Sequence, residues 1–161
     1  MIKLETIGMF KYIKNDPTVV AHAEIPNGYV FTIDSNHKTA APTASTAKTA
    51  DLWFAMNEFT GDERYTNRTI KAGEKVNAIL LKEFDHRNLI ITDDNLTTAF
   101  ASIAVGDTMV ADTYGKFAKE TTLTGYAVYV TVLEKMQYGS KNAVRVQVST
   151  VDQDTQPVVS G

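Results

Sequence analysis

The strongest constraint in this sequence is a pair of valine-rich segments near its C-terminal end. In residues 126–133, Val128, Val130 and Val132 alternate with Tyr129, Thr131 and Leu133. In residues 143–149, Val144, Val146 and Val148 alternate with Arg145 and Gln147. Successive side chains in a strand point to opposite faces, so each segment presents one valine face and one mainly polar face. β-Branched side chains are stiff at χ1 and suit a pleated surface better than a helix. With Gln137-Tyr138-Gly139-Ser140 as the connection, the spacing predicts a half-buried antiparallel hairpin.

The chain before it follows the same grammar. Tyr29-Val30-Phe31-Thr32-Ile33 lies between the turn clusters Pro26-Asn27-Gly28 and Asp34-Ser35-Asn36. Leu52-Trp53-Phe54-Ala55-Met56 is a second apolar run. Lys71-Ala72-Gly73-Glu74 reads as a turn that delivers a strand over 76–81, and Leu89-Ile90-Ile91-Thr92 is closed by Asp93-Asp94-Asn95. Thr108-Met109-Val110-Ala111 and Lys116-Phe117-Ala118 flank Asp112-Thr113-Tyr114-Gly115, a short hairpin with glycine at its tip.

Helical spacing is confined to two places. Leu96, Phe100 and Ile103 follow Asn95, a residue suited to an N-cap, and Gly106 would end that helix. Leu4, Ile7 and Phe10 are three apart, which fits either an irregular helix or an extended arm. Residues 39–50 are almost all small and predict an exposed loop or an edge strand. The expected fold is all-β, or mainly β with short helices: an antiparallel sandwich or small barrel with an N-terminal arm. Its divisions are an arm or irregular segment over 1–25, a β-domain over 26–150 and a polar tail over 151–161.

A chain of 161 residues with 43% hydrophobic content can bury a core as one domain. Cysteine is absent, which excludes disulfides, cysteine nucleophiles and thiolate metal sites. A net charge of −3 without a basic block argues against a nucleic-acid partner. No apolar run approaches the ~20 residues of a membrane helix, and no signal-peptide core precedes the first strand, so membrane partners and export are not expected.

Chemistry-bearing motifs are scarce. His37 and His86 sit in polar turns, His22 stands alone, and no Gly-x-Ser-x-Gly elbow supplies a nucleophile. Asp93-Asp94-Asn95 and Asp152-x-Asp154 resemble pieces of calcium loops but lack the glycine and distal glutamate of an EF-hand. Asn67-Arg68-Thr69 and Asn95-Leu96-Thr97 match the glycosylation sequon, which is read as chance in a chain without a leader. No catalytic, cofactor-binding or metal residue is assigned, and no cofactor is expected.

Several segments carry a resemblance by their order. They are Asn27-Gly28-Tyr29-Val30-Phe31-Thr32-Ile33-Asp34, Ile70-Lys71-Ala72-Gly73-Glu74-Lys75-Val76, Val105-Gly106-Asp107, Ala111-Asp112 with Gly115-Lys116-Phe117, and Gly125-Tyr126-Ala127-Val128-Tyr129 with Glu134-Lys135. Together they resemble the capsid decoration (cement) proteins of tailed bacteriophages of Gram-positive hosts over residues 20–150. The resemblance implies a non-enzymatic virion protein, made in the bacterial cytoplasm, that binds the outer face of the major capsid protein lattice, as a trimer, and stabilises it. Residues 39–50 and the polar tail do not map onto it. Interface candidates are Met9, Phe10, Tyr12 and Ile13 on the arm, and Tyr129 and Leu133 on the hairpin. Rival readings are another virion component, a tail-tube or head-fibre subunit, and a carbohydrate-binding β-module.

Overall fold

A computed structural model describes residues 2–4, 15–34, 36, 39–42, 51–57 and 69–151. The protein is mainly β: strands form 50% of the described residues, and no helix among them reaches seven residues. Two curled six-stranded sheets give a half-barrel.

The first sheet is built on the valine hairpin, β13 (Val128–Tyr138) and β14 (Lys141–Thr150). To one side of β14 lie β10 (Asn88–Thr92) and then β1 (Ile2–Leu4); to the other side of β13 lie β11 (Thr108–Ala111) and β12 (Phe117–Lys119). All pairings in it are antiparallel. Val128, Val130, Val132, Val144, Val146 and Val148 are all buried, as the alternation predicts. The strands run further than expected, to Tyr138 and from Lys141, leaving Gly139-Ser140 as a two-residue connection. Gly139 has φ +62°, the left-handed conformation such tight hairpins require.

The second sheet runs in the order β2 (Asn15–Asp16), β9 (Ala78–Leu80), β7 (Trp53–Ala55), β5 (Val30–Asp34), β6 (Thr39–Pro42), β3 (Val20–Ala21). Its central strands are buried on both faces. Val30, Phe54 and Ile79 join the core shared with the first sheet. Phe31, Trp53, Ala55, Ala78 and Leu80 enter a second core on the opposite side. That core is closed by residues 19–26 running against 69–76, including β4 (Ile25–Pro26) paired with β8 (Thr69–Ile70). Val76 N donates to Val19 O at 2.8 Å, and Ala21 N to Glu74 O at 2.9 Å. Ile25, Ile70, Val19 and Val76 supply the apolar underside of this cover. Double burial explains why residues 52–56 read as an uninterrupted apolar run without alternation.

The two layers are tied together at the turn before β5. Asn27 Nδ2 donates to Asn57 O at 3.2 Å, while Asn57 N donates to Asn27 Oδ1 at 2.9 Å. Asn77 N donates to Asn57 Oδ1 at 2.7 Å, and Asn77 Nδ2 to Met56 O at 3.0 Å. Gly28 N donates to Ala55 O at 2.8 Å. From the first sheet's side, the buried Asn95 donates through Nδ2 to Gly28 O at 2.8 Å. Val30 N donates to Gly115 O at 2.8 Å, and a Cβ on Gly115 would stand 2.4 Å from Val30 O. Glycine at 115 therefore permits the tip of the β11–β12 hairpin to dock on β5.

Four expectations are corrected. Where described, the segment 1–25 is no free arm: β1 pairs with β10 and buries Ile2, while Val19, Ala21 and Ile25 are core residues. The β-domain therefore begins before residue 26. The segment starting at residue 39 opens with β6, which lies inside the sheet between β5 and β3 with Ala40 fully buried; residues 43–50 lie outside the described residues. Residues 95–103 hold no helix, only single 3-10 turns at Asp93–Asn95 and Phe100–Ser102. Between them the chain is drawn against β12: Leu96 bridges Phe117, and Thr97 N donates to Phe117 O at 2.9 Å. Asn95 is accordingly a cross-layer link and not an N-cap.

Two outcomes are expected. Val130→Asp buries a carboxylate among apolar side chains and should cost about 3–5 kcal/mol or prevent folding. Thr131→Asp, on the outer face, should leave the thermal midpoint nearly unchanged; equal melting of both variants would contradict this assignment of faces. Asn95→Ala leaves Gly28 O without that donor in a buried setting and should cost about 1–3 kcal/mol in urea denaturation.

Candidate interaction surface

The residues singled out from sequence fall in three places. Met9, Phe10, Tyr12 and Ile13 lie outside the described residues. Tyr129 is half-buried on the outer face of the hairpin, opposite Ser149. Leu133 is 40% exposed on the same face.

By alternation Leu133 shares the outer face with Tyr129 and Thr131. The register of β13 against β14 shifts between Val132 and Glu134, so Leu133 is the extra residue of a β-bulge. A bulge breaks the two-residue alternation and re-aims the side chains around it. Beside it runs the turn before β11. Gly106 N donates to Val132 O and Val132 N to Asp107 O, at 2.8 and 2.9 Å, which lays residues 105–107 against the bulge. Val105 at the crest of that turn is 64% exposed, and Ala101 and Ala104 are exposed with it. Gly106 adopts φ +89°.

The turn is held from below by charge. Asp107 Oδ2 accepts the Ala104 N–H at 2.8 Å, and its Oδ1 meets Lys119 Nζ at 2.8 Å. Lys135 Nζ donates to Phe100 O at 2.9 Å and Ile103 O at 2.7 Å, and lies 4.4 Å from the Phe100 ring centre. An apolar crest thus stands on a polar frame that fixes its shape. Sequence reading found Leu133 but missed Val105; a bulky apolar residue directly before a turn glycine was the available signal.

Tyr114 is a second exposed side chain that sequence reading did not single out, at 72%. It occupies the tip of the β11–β12 hairpin, where Asp112 Oδ1 accepts the N–H groups of Tyr114 at 2.8 Å and Lys116 at 3.0 Å. Thr97 Oγ1 donates to the other oxygen of Asp112. Lys116 Nζ lies 5.5 Å from the centre of the Tyr29 ring. An aromatic on a pinned backbone loses little entropy on binding, which is what an anchor residue needs.

The chemical candidates find structural settings. His86 Nε2 lies 3.4 Å from Asp85 Oδ2, but the imidazole is 82% exposed in a turn, and the other Asp85 oxygen accepts Thr150 N. Asp94 pairs with Lys141 and so ties the 93–95 turn to the start of β14. Among the described residues no three histidine or acidic side chains converge as a metal site. Asn95 is 1% exposed with its amide engaged, so its sequon is unavailable to a glycosylating enzyme. His37, Asp152 and Asp154 lie outside the described residues. Among those described, no helix is long and apolar enough to cross a membrane.

Lys119 first, and then the Ala104 N–H, hold the Asp107 carboxyl below the usual carboxylate range. The folded state therefore binds this proton less readily than the unfolded chain. Its stabilisation is complete above that range and is lost as pH falls through the lowered value. Asp107→Asn should lower the urea midpoint at neutral pH, and the gap from the parent should shrink in acid. A gap that stays constant with pH would contradict this role.

In comparisons with known proteins, no family model, no curated protein and no solved structure matches this chain.

Proposed function

We propose that this chain is a virion structural protein that decorates the outer surface of a phage capsid lattice and stabilises it without turnover. The observation that carries the reading is the order of its five turn-and-strand segments. In each, the glycine occupies a left-handed turn: Gly28, Gly73, Gly106, Gly115 and Gly125 have φ between +77° and +89°. The resemblance thus rests on positions that set the path of the chain.

The surface suits the role. A protein that docks on a preformed lattice needs shaped contacts on a frame that does not yield. The Val105–Leu133 crest and the Tyr114 tip have that character, and they replace the arm as the described docking candidates. Deleting the first residues is a poor test of docking, because it removes β1 and uncovers the edge of β10.

The test is co-sedimentation with expanded heads from candidate phages and with capsid-protein shells. The parent should bind saturably, at a fixed ratio per capsomer, and raise the shell's melting temperature by mass action. Val105→Glu with Leu133→Glu should weaken binding at least tenfold, roughly 1.4 kcal/mol, while the free protein melts as the parent does. No binding by the folded parent to any shell tested would reject the decoration role; equal binding by the double variant would reject only the crest.

A further inference from the structure

Asn27-Gly28 is the one Asn-Gly pair in the sequence. Such a pair is chemically labile, because glycine has no Cβ to hinder attack by its own backbone nitrogen. Gly28 N, once deprotonated, attacks Asn27 Cγ; the Cγ–Nδ2 bond breaks and ammonia leaves. The resulting succinimide is opened by water at either carbonyl, giving aspartate or isoaspartate. The proton taken from Gly28 N leaves with the ammonia, so the base is regenerated; one water is consumed, and nothing is oxidised or reduced.

In the folded chain every reacting group is occupied. Gly28 is buried, and its N–H donates to Ala55 O at 2.8 Å. The Asn27 carboxamide is gripped at both ends by the backbone of Asn57, through Nδ2 to Asn57 O at 3.2 Å and from Asn57 N to Oδ1 at 2.9 Å. Ring closure requires Asn27 to leave Asn57 and Gly28 N to leave Ala55, so both links must open first.

The aspartate product can accept again from Asn57 N, and Gly28 N–H can return to Ala55 O, but the bond from Nδ2 to Asn57 O is lost for good. A carboxylate has no N–H for Asn57 O and sets oxygen against oxygen there. Isoaspartate also adds a methylene to the main chain beside Gly28, whose carbonyl receives the Asn95 link between the layers. We propose that Asn27 is a deamidation site guarded by the fold, whose conversion irreversibly marks chains in which this junction has opened.

The test uses the full-length protein at mildly alkaline pH, with deamidation followed by peptide mass mapping and isoaspartate detection. The native parent should convert at least about tenfold more slowly than the same chain in urea, the factor a modest local opening cost imposes. Asn57→Ala keeps the backbone contacts to Asn27 but removes its side-chain bonds to Lys75 O and from Asn77 N. It should convert faster than the parent while circular dichroism still reports the native sheets. If it does not fold, Asn77→Ala, which removes the bond to Met56 O, takes its place. Asn27→Asp should melt below the parent by several degrees. Conversion as fast in the native state as in urea, or a loosened variant no faster than the parent, would overturn the guard; an Asn27→Asp protein melting with the parent would overturn the mark.

Discussion

The second sheet has apolar side chains on both faces, and a sheet of that kind needs cover on both sides. Phe54 and Ile79 point one way, Trp53 and Leu80 the other, on strands of only three residues each. One cover is the valine hairpin sheet. The other is the short ribbon of residues 19–26 against 69–76, which seals Phe31, Trp53 and Leu80 beneath Ile25, Ile70 and Val76. Short strands gain little from their own pairing, so the layers are stable as a stack and not one by one.

Three layers must also be held in register, and apolar contact alone specifies register weakly. Polar links at the Asn27–Val30 turn supply it. Asn57 and Asn77 fix the ends of β7 and β9 to that turn, Asn95 joins it to the strand-connecting segment of the other sheet, and Gly115 brings in the β11–β12 hairpin. A buried amide without its partner costs more than a made one gains, so such links select one arrangement among those the apolar surfaces would accept. The same rigidity extends outward. The Val105 crest stands on the Asp107 and Lys135 bonds, and the Tyr114 tip on Asp112, so exposed anchors sit on backbone that is already ordered.

Much of the frame was legible along the chain. Period-two valines gave the hairpin and its buried face, turn clusters bracketed β5, and the Gly115 tip separated β11 from β12. What was misread shares one physical cause, which is long-range pairing that overrides local pattern. Leu96, Phe100 and Ile103 have helical spacing, yet Phe117 draws Leu96 and Thr97 into a bridge that a helix would forbid. Thr39–Pro42 looks too small to matter, but β6 pairs with β5 on one side and β3 on the other, and Ala40 is fully buried. The first residues looked like an arm because Ile2 finds its core only through β10, far away in sequence.

By itself, then, the sequence determined the class of structure, the hairpin and its apolar face, the turns, and the absence of cysteine chemistry, because these follow from side-chain period, glycine conformation and residue type. The tertiary structure decided which segments cover the doubly buried sheet, where the asparagines meet, and which apolar residues stand together outside. Leu133 stands outward by alternation and is the unpaired residue of a bulge, and the bonds from Gly106 to Val132 and from Val132 to Asp107 set Val105 beside it. That these two stand side by side depends on bonds between segments tens of residues apart, and no local pattern encodes it.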